Sequence, residues 1–285
     1  MLDLLMRVGV VLFMLGSLGG AGLGVTIRDA IAPLRQPRFL LVSFVTSWLV
    51  CPLAALIVLR LVPLAEPYAA GLVLLALAPC APFAPAMVKT AKGNASALAA
   101  FMVFSAVTTV MFMPIGISLM LGEVDISVWQ IAQPLLVYVL APLTIGMAIR
   151  YAAPAVAVRL QKALELVTAG AGLLLLVVLG LLYGRGFVDA FGSRAVIAQA
   201  IFLVVITTVT HLIGALLHRE QQTVVTLGIA TRNLGAALAA IAAVADERGV
   251  VMIAIAGVTT ILWSAAVARY LGRPRSVPTL AVTPS

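Results

Sequence analysis

LLALAPCAPFAPAMVKTAKG (Leu74–Gly93) and TVVTLGIATRNLGAALAAIAAV (Thr223–Val244) are two apolar runs long enough to cross a bilayer, and each is interrupted in its middle. In the first, Pro79, Pro82 and Pro85 recur every three residues. Each proline removes a backbone donor and clashes with the preceding turn, so three in one run open the helix. Hydrocarbon cannot satisfy the polar groups set free, and such backbone persists only inside protein or beside a watery cavity. The second run places Gly228, Thr231, Arg232, Asn233 and Gly235 at its centre. An arginine there costs at least about 2.5–3.5 kcal/mol to insert. With about ten helical residues on either side it is too deep to snorkel, so it faces a cavity or a partner.

Composition carries the same message outward from these runs. Of 285 residues, 63% are hydrophobic and 10% charged, and the mean hydropathy is +1.19. Soluble domains are about 45–50% apolar and about 25% charged. A single soluble core has too little volume to hide the excess, whereas lipid accommodates it. Nine apolar runs are separated by charged or Pro/Gly-rich breaks, at about 3–24, 38–62, 68–90, 95–121, 128–150, 161–184, 194–217, 221–245 and 249–271. They predict an all-α polytopic membrane protein with nine transmembrane helices. The runs are too long for barrel strands and lack their dyad alternation.

The net charge of +8 comes from residues lying between apolar runs, not from a basic module, which excludes nucleic acid as a partner. Cys51 and Cys80 fall within apolar runs and are too few for a disulfide framework or a CxxC site. With Asp3 beside Arg7 and a long apolar run to Gly24, the start reads as a first span rather than a signal peptide. Gly16, Gly20 and Gly24 form a small-residue stripe suited to close helix approach. Residues 1–271 read as one transmembrane transporter unit and 272–285 as a disordered cytoplasmic tail.

Nine spans put the chain ends on opposite sides, and the charges orient them. One set of loops holds twelve of the 18 basic residues: Arg28, Arg35, Arg38, Lys89, Lys92, Arg150, Arg159, Lys162, Arg219, Arg269, Arg273 and Arg275. The other holds Arg60, Arg185, Arg194 and Arg248, together with Glu66, Glu123, Asp125, Asp189, Asp246 and Glu247. The positive-inside rule then predicts an inner-membrane protein with its N-terminus outside and its C-terminus in the cytoplasm. The acids lie mostly in loops, and none is an obvious intramembrane partner for Arg232.

Each interrupted helix is the penultimate one of its half of the chain. That is the pattern of an inverted-repeat carrier, in which two broken helices meet at the midplane and form the substrate site. The alternative is a bundle with proline kinks and an arginine held by carbonyls. Neither HExxH, GxxxxGK[ST], a Cys/His cluster nor a Ser/His/Asp set is present, so the chain reads as neither an enzyme nor an ATP-driven pump. No cofactor is implied; a channel is the other class that uses broken helices. His211, beside Thr207, Thr208 and Thr210, is a candidate proton relay. Its more ordinary reading is a buried histidine bonded to a neighbour. Oligomeric state is not legible.

The stretches LVSFVTSWLVCPLAALIVLRL, LAPCAPFAPAMVKTAKGNASALAAFMVFSAVTTVMFMPI and GIATRNLGAALAAIAAV, with the loop VTIRDAIAPLRQPRFLL, resemble the bile acid:sodium symporter family. The resemblance implies a panel domain from helices one, five and six and a core domain from helices two to four and seven to nine. Helices three and eight would cross in the core, and the carrier would work by alternating access on a small organic anion. The family's first sodium site falls at Ala84, Pro85, Leu98 and Met102, and its second at Ser47, Gly228 and Arg232. These residues lack the oxygen ligands that Na⁺ requires, and a guanidinium repels it. The coupling ion is therefore open between Na⁺ and H⁺, and Arg232 could instead meet the anion with its planar fork. Candidate substrate contacts are Arg232, Asn233, Thr231, Ser47, Cys80, Pro82, Pro85 and His211. Related arsenite efflux carriers also keep a cysteine in the break, so efflux of arsenite or another inorganic solute is the alternative.

Overall fold

The computed structural model describes residues 2–31, 33–122, 127–192, 194–244 and 247–273, with backbone alone at 3, 34, 176, 179, 183–192, 242–244 and 247–248. The tail from 274 and the loop acids Glu123, Asp125 and Asp246 lie outside the described residues. Among those described, every regular element is helical.

The chain opens with α1 (Leu2–Gly24), followed by a short α2 (Ile27–Ile31) whose Asp29 N–H donates to Thr26 Oγ1 at 3.1 Å. Helices α3 (Pro37–Val45) and α4 (Cys51–Leu61) join through a π-turn at Thr46–Val50, and Pro52 follows directly. A proline has no N–H to give to the turn before it, and the wider turn absorbs its ring. Next come α5 (Glu66–Ala76), α6 (Ala84–Thr90) and α7 (Ala95–Leu121), the last capped by Asn94 Oδ1, which accepts from Ala97 N–H at 2.7 Å. Helix α8 (Val128–Leu135) begins with a Ser127–Gln130 capping box. It runs through a second π-turn, Leu136–Leu140, into α9 (Ala141–Ala152), just ahead of Pro142.

The loop expected across 151–160 contracts to Ala153, because Pro154 supplies a ready first helical residue for α10 (Pro154–Gly192). The chain ends with α11 (Ala195–Gly214), α12 (Arg219–Ala230), α13 (Leu234–Val244) and α14 (Glu247–Leu271). Seven of the described helical runs are long and apolar enough to cross a membrane. Two further runs are the interrupted pairs α5–α6 and α12–α13.

Packing on several helices follows the logic of lipid, with small side chains at the contacts and large ones on the outer face. On α4, Ala54 and Ala55 are buried while Leu53, Leu56 and Ile57 are exposed. Hydrocarbon is as apolar as leucine, so helices associate by close backbone approach instead. Helix α1 shows this most fully, lying against α9 and α10. Gly16, Gly20 and Gly24 face Thr168, Leu164 and Gln161 of α10 in antiparallel order. Its Gly19 and Gly22 face Pro142, Leu143 and Gly146 of α9, and a Cβ on Gly146 would stand 2.5 Å from the Gly19 carbonyl oxygen.

This contact yields a paired prediction. Gly146→Ala should lower the melting temperature of the purified protein by the equivalent of about 1–3 kcal/mol of overpacking. Gly170→Ala, on α10 with nothing within 4 Å of the new methyl group, should be neutral or stabilise by up to about 1 kcal/mol. Equal losses in both variants would contradict the close α1–α9 approach.

Candidate functional site

Helix α5 ends at Ala76 and α6 starts at Ala84; α12 ends at Ala230 and α13 starts at Leu234. The two extended gaps meet. Pro79 and Arg232 form an isolated antiparallel bridge, the sole β-type pairing among the described residues. The Cys80 N–H donates to the carbonyls of Gly228 and Thr231, both at 3.1 Å, and the Asn233 N–H donates to Ala78 O at 2.9 Å. The Ala81 N–H donates to Thr231 Oγ1 at 3.3 Å, and that hydroxyl donates to Gly228 O at 3.0 Å. Asn233 caps α13, its Oδ1 accepting from the Ala236 N–H at 3.0 Å. Beyond the gaps, α5 packs on α13 and α6 on α12, so each half-helix lies against the opposite half of the other run.

Arg232 is wholly buried, the largest side chain among the described residues to be so. Its Nη1 donates to Leu75 O at 3.4 Å and its Nη2 donates to Ile229 O, while Nε has no partner. Leu75 and Ile229 belong to the last turns of α5 and α12. One guanidinium therefore sits where the negative ends of two helix dipoles converge and bonds one carbonyl from each, that of Leu75 also accepting from the Ala78 N–H at 3.2 Å. Its fork faces these carbonyls, the arrangement of the alternative reading of the sequence. Cys51 on α4 and Cys80 in the gap both lie within electrostatic reach of it. Cys80 adopts the left-handed conformation, φ 62°, at a cost of about 1–2 kcal/mol for a residue with a Cβ.

The positions where the family resemblance puts sodium ligands are filled differently. Ala84, Leu98 and Met102 join Cys80 and Phe101 in one buried apolar cluster. Gly228, lacking a side chain, receives the ring of Phe101, which comes so close that a Cβ there would collide with it. Ser47 is buried in the first π-turn with no partner for its hydroxyl. His211 is half-buried on α11 and lies apart from the bridge: its Nδ1 is 3.2 Å from Thr226 Oγ1, and Gln222 Nε2 donates to its carbonyl at 2.8 Å.

Pro82 and Pro85 face outward from the gap into a cleft of about 350 Å³. Pro82, Phe83 and Pro85 form one wall; Ser17, Gly20, Gln161, Glu165 and Thr168 of α1 and α10 form the other. Glu165 supplies the charge in this lining and accepts from Gln161 Nε2 at 3.2 Å. The sequence reading passed over it by treating acids as loop residues. A carboxylate one helical turn after a glutamine, inside the run 161–184, was the available signal.

An all-helical apolar protein whose two interrupted helices cross around a buried cation has the construction of a membrane carrier. The chain matches the Sodium Bile acid symporter family over residues 9–189 and belongs to that family of transporters. The matched region includes the first gap and stops short of the second. No curated protein matches the chain.

The Phe101–Gly228 contact can be tested by a double-mutant cycle. Gly228→Ala alone should destabilise by about 1–3 kcal/mol through overpacking. Phe101→Leu relieves that clash, so the combined variant should fall short of the summed losses by about 0.5–3 kcal/mol in denaturant unfolding. Strict additivity would show that the ring does not occupy the place of the missing side chain.

Proposed function

We propose that the chain is a secondary carrier of a small organic anion, working by alternating access and without sodium. The observation that supports it is the Pro79–Arg232 crossing with a guanidinium at its centre. Seven long helices and two interrupted pairs then make nine passes in an inverted repeat, with α1, α8–α9 and α10 as the panel and the remaining passes as the core. The asymmetry of basic residues puts the N-terminus outside the inner membrane.

The solute enters the cleft between panel and core beside Pro82 and Pro85, and Thr231, Asn233, Cys80 and Arg232 form the crossing behind it, with Ser47 a further candidate contact from the first π-turn. Arg232 acts through the field it creates there, because its Nη1 and Nη2 are engaged by the carbonyls of Leu75 and Ile229. Two helix C-termini in a membrane would otherwise attract a cation. Here the cation is covalent, and Leu98, Met102 and Phe101 offer Na⁺ no oxygen.

Glu165, the one charged side chain in the cleft lining among the described residues, repels an anion, and coupling to protons is the alternative to sodium. In a thermal-shift screen, organic anions should raise the melting temperature equally in Na⁺ and in K⁺. Uptake into proteoliposomes should follow a pH gradient imposed across the membrane. Glu165→Gln should remove that drive while keeping the anion-induced thermal shift. A shift that requires Na⁺ would overturn the reading.

A second reading, efflux of arsenite, draws on Cys51 joining Cys80 near Arg232. Two thiols suit a soft ion better than one. Cys80→Gly suits the left-handed backbone, and that relief of about 1–2 kcal/mol offsets the loss of a small buried side chain, so the variant should fold. If this reading holds, the parent protein rescues a metalloid-sensitive strain and Cys80→Gly does not. Rescue that survives the substitution eliminates it.

A further inference from the structure

A cavity of about 460 Å³ opens where the end of α11, the start of α12 and the end of α14 come together, away from the crossing. Its polar lining is Arg219, Arg273, His211, Gln222, Thr223 and Tyr270, with no acidic side chain among the described residues. We propose that this cavity binds a phosphoryl oxyanion, carried either by an anionic lipid headgroup or by a soluble phosphate.

Three features lead to that ligand. Arg219 and Arg273 stand on different helix ends, and two guanidiniums at one cavity repel unless an anion lies between them. Arg219 is also the first residue of α12, a 12-residue helix whose N-cap, His218, makes no side-chain cap. The positive end of the α12 dipole thus lies beside Arg219, between this cavity and its neighbour. Finally, the acid next in sequence, Glu220, accepts from Asn94 Nδ2 at 3.3 Å, so it is engaged by the α6–α7 connection.

The rest of the lining supports an oxyanion in preference to a bare halide. Tyr270 adds a hydroxyl donor, and the volume holds a phosphate together with the group esterified to it. Leu217 separates this cavity from a second one of about 460 Å³, lined by Arg35, Arg38 and His218 and equally free of acids. The distribution of basic residues assigns this end to the cytoplasmic face, where anionic phospholipids gather.

Topological arginines that merely face headgroups would be interchangeable with others on the same side, and that separates the outcomes. Purified protein in neutral detergent should bind phosphatidylglycerol, and not phosphatidylcholine, as read by native mass spectrometry and thermal shift. Arg219→Gln/Arg273→Gln should weaken this by about tenfold or more, as expected for two lost charge-assisted contacts. Arg150→Gln/Arg159→Gln, with the same change in net charge, should leave it intact. Inorganic phosphate that raises the melting temperature with the same arginine dependence supports the site and names the soluble source. Stabilisation by phosphatidylglycerol alone names the lipid. Equal losses in the two double variants, or no binding of either ligand by the parent protein, would overturn the proposal.

Discussion

Main chain inside hydrocarbon has no water to bond, and the pairing of the two opened helices answers that constraint for both at once. The prolines of residues 79–85 release carbonyls of α5 and leave a segment without helical partners. The gap after α12 does the same through Thr231 and Asn233. Neither gap could persist alone. Together they exchange backbone hydrogen bonds from Cys80 and Asn233, while one guanidinium ties the carbonyls of Leu75 and Ile229 across the two helix ends. Because the bridge fixes one crossing point, it also dictates that α5 lies on α13 and α6 on α12.

That crossing needs surroundings that bring backbones near without large side chains between them. Alanine supplies this on α4, glycine on α1 and α9, and Gly228 accepts the Phe101 ring at the crossing itself. The cleft beside Pro82 and Pro85 arises for a related reason. The opened segment is narrower than a helix and its prolines cannot bond to α1 or α10, so a hollow remains between them and the polar residues of α10. Fold and candidate site are thus two results of the same broken helices.

Much of this was legible in the residues. The long apolar runs, the Gly16–Gly24 stripe and both interruptions stand in the sequence because lipid leaves few alternatives: a run either spans as a helix or is broken by residues visible as such. Orientation of side chains was less legible. Arg232 reads equally well as a clamp for a carboxylate or as a cap for carbonyls, since both present oxygen to the same fork. Only the position of Leu75, 157 residues away, distinguishes them. Asn233 likewise reads as a polar contact and serves as a helix cap. Glu165 was missed because a one-dimensional charge map assigns acids to loops, and its place in the cleft depends on how α10 rotates against α1.

The choice of arginine at the crossing carries a consequence for how the cycle can run. A lysine would give the same charge as a point donor, reach fewer carbonyls and readily lose its proton when buried. A guanidinium stays charged and spans two helix ends at once. A bound metal ion can leave when the carrier changes face, and its departure alters the charge at the midplane; Arg232 cannot leave. In the carrier cycle proposed above, the crossing then keeps its positive charge, and the charge change that resets the protein arises elsewhere. The cleft lining holds a charged group, the carboxylate of Glu165, on the opposite wall from the prolines. Under that proposal, a permanent cation in the core moves the burden of coupling from the crossing to the cleft.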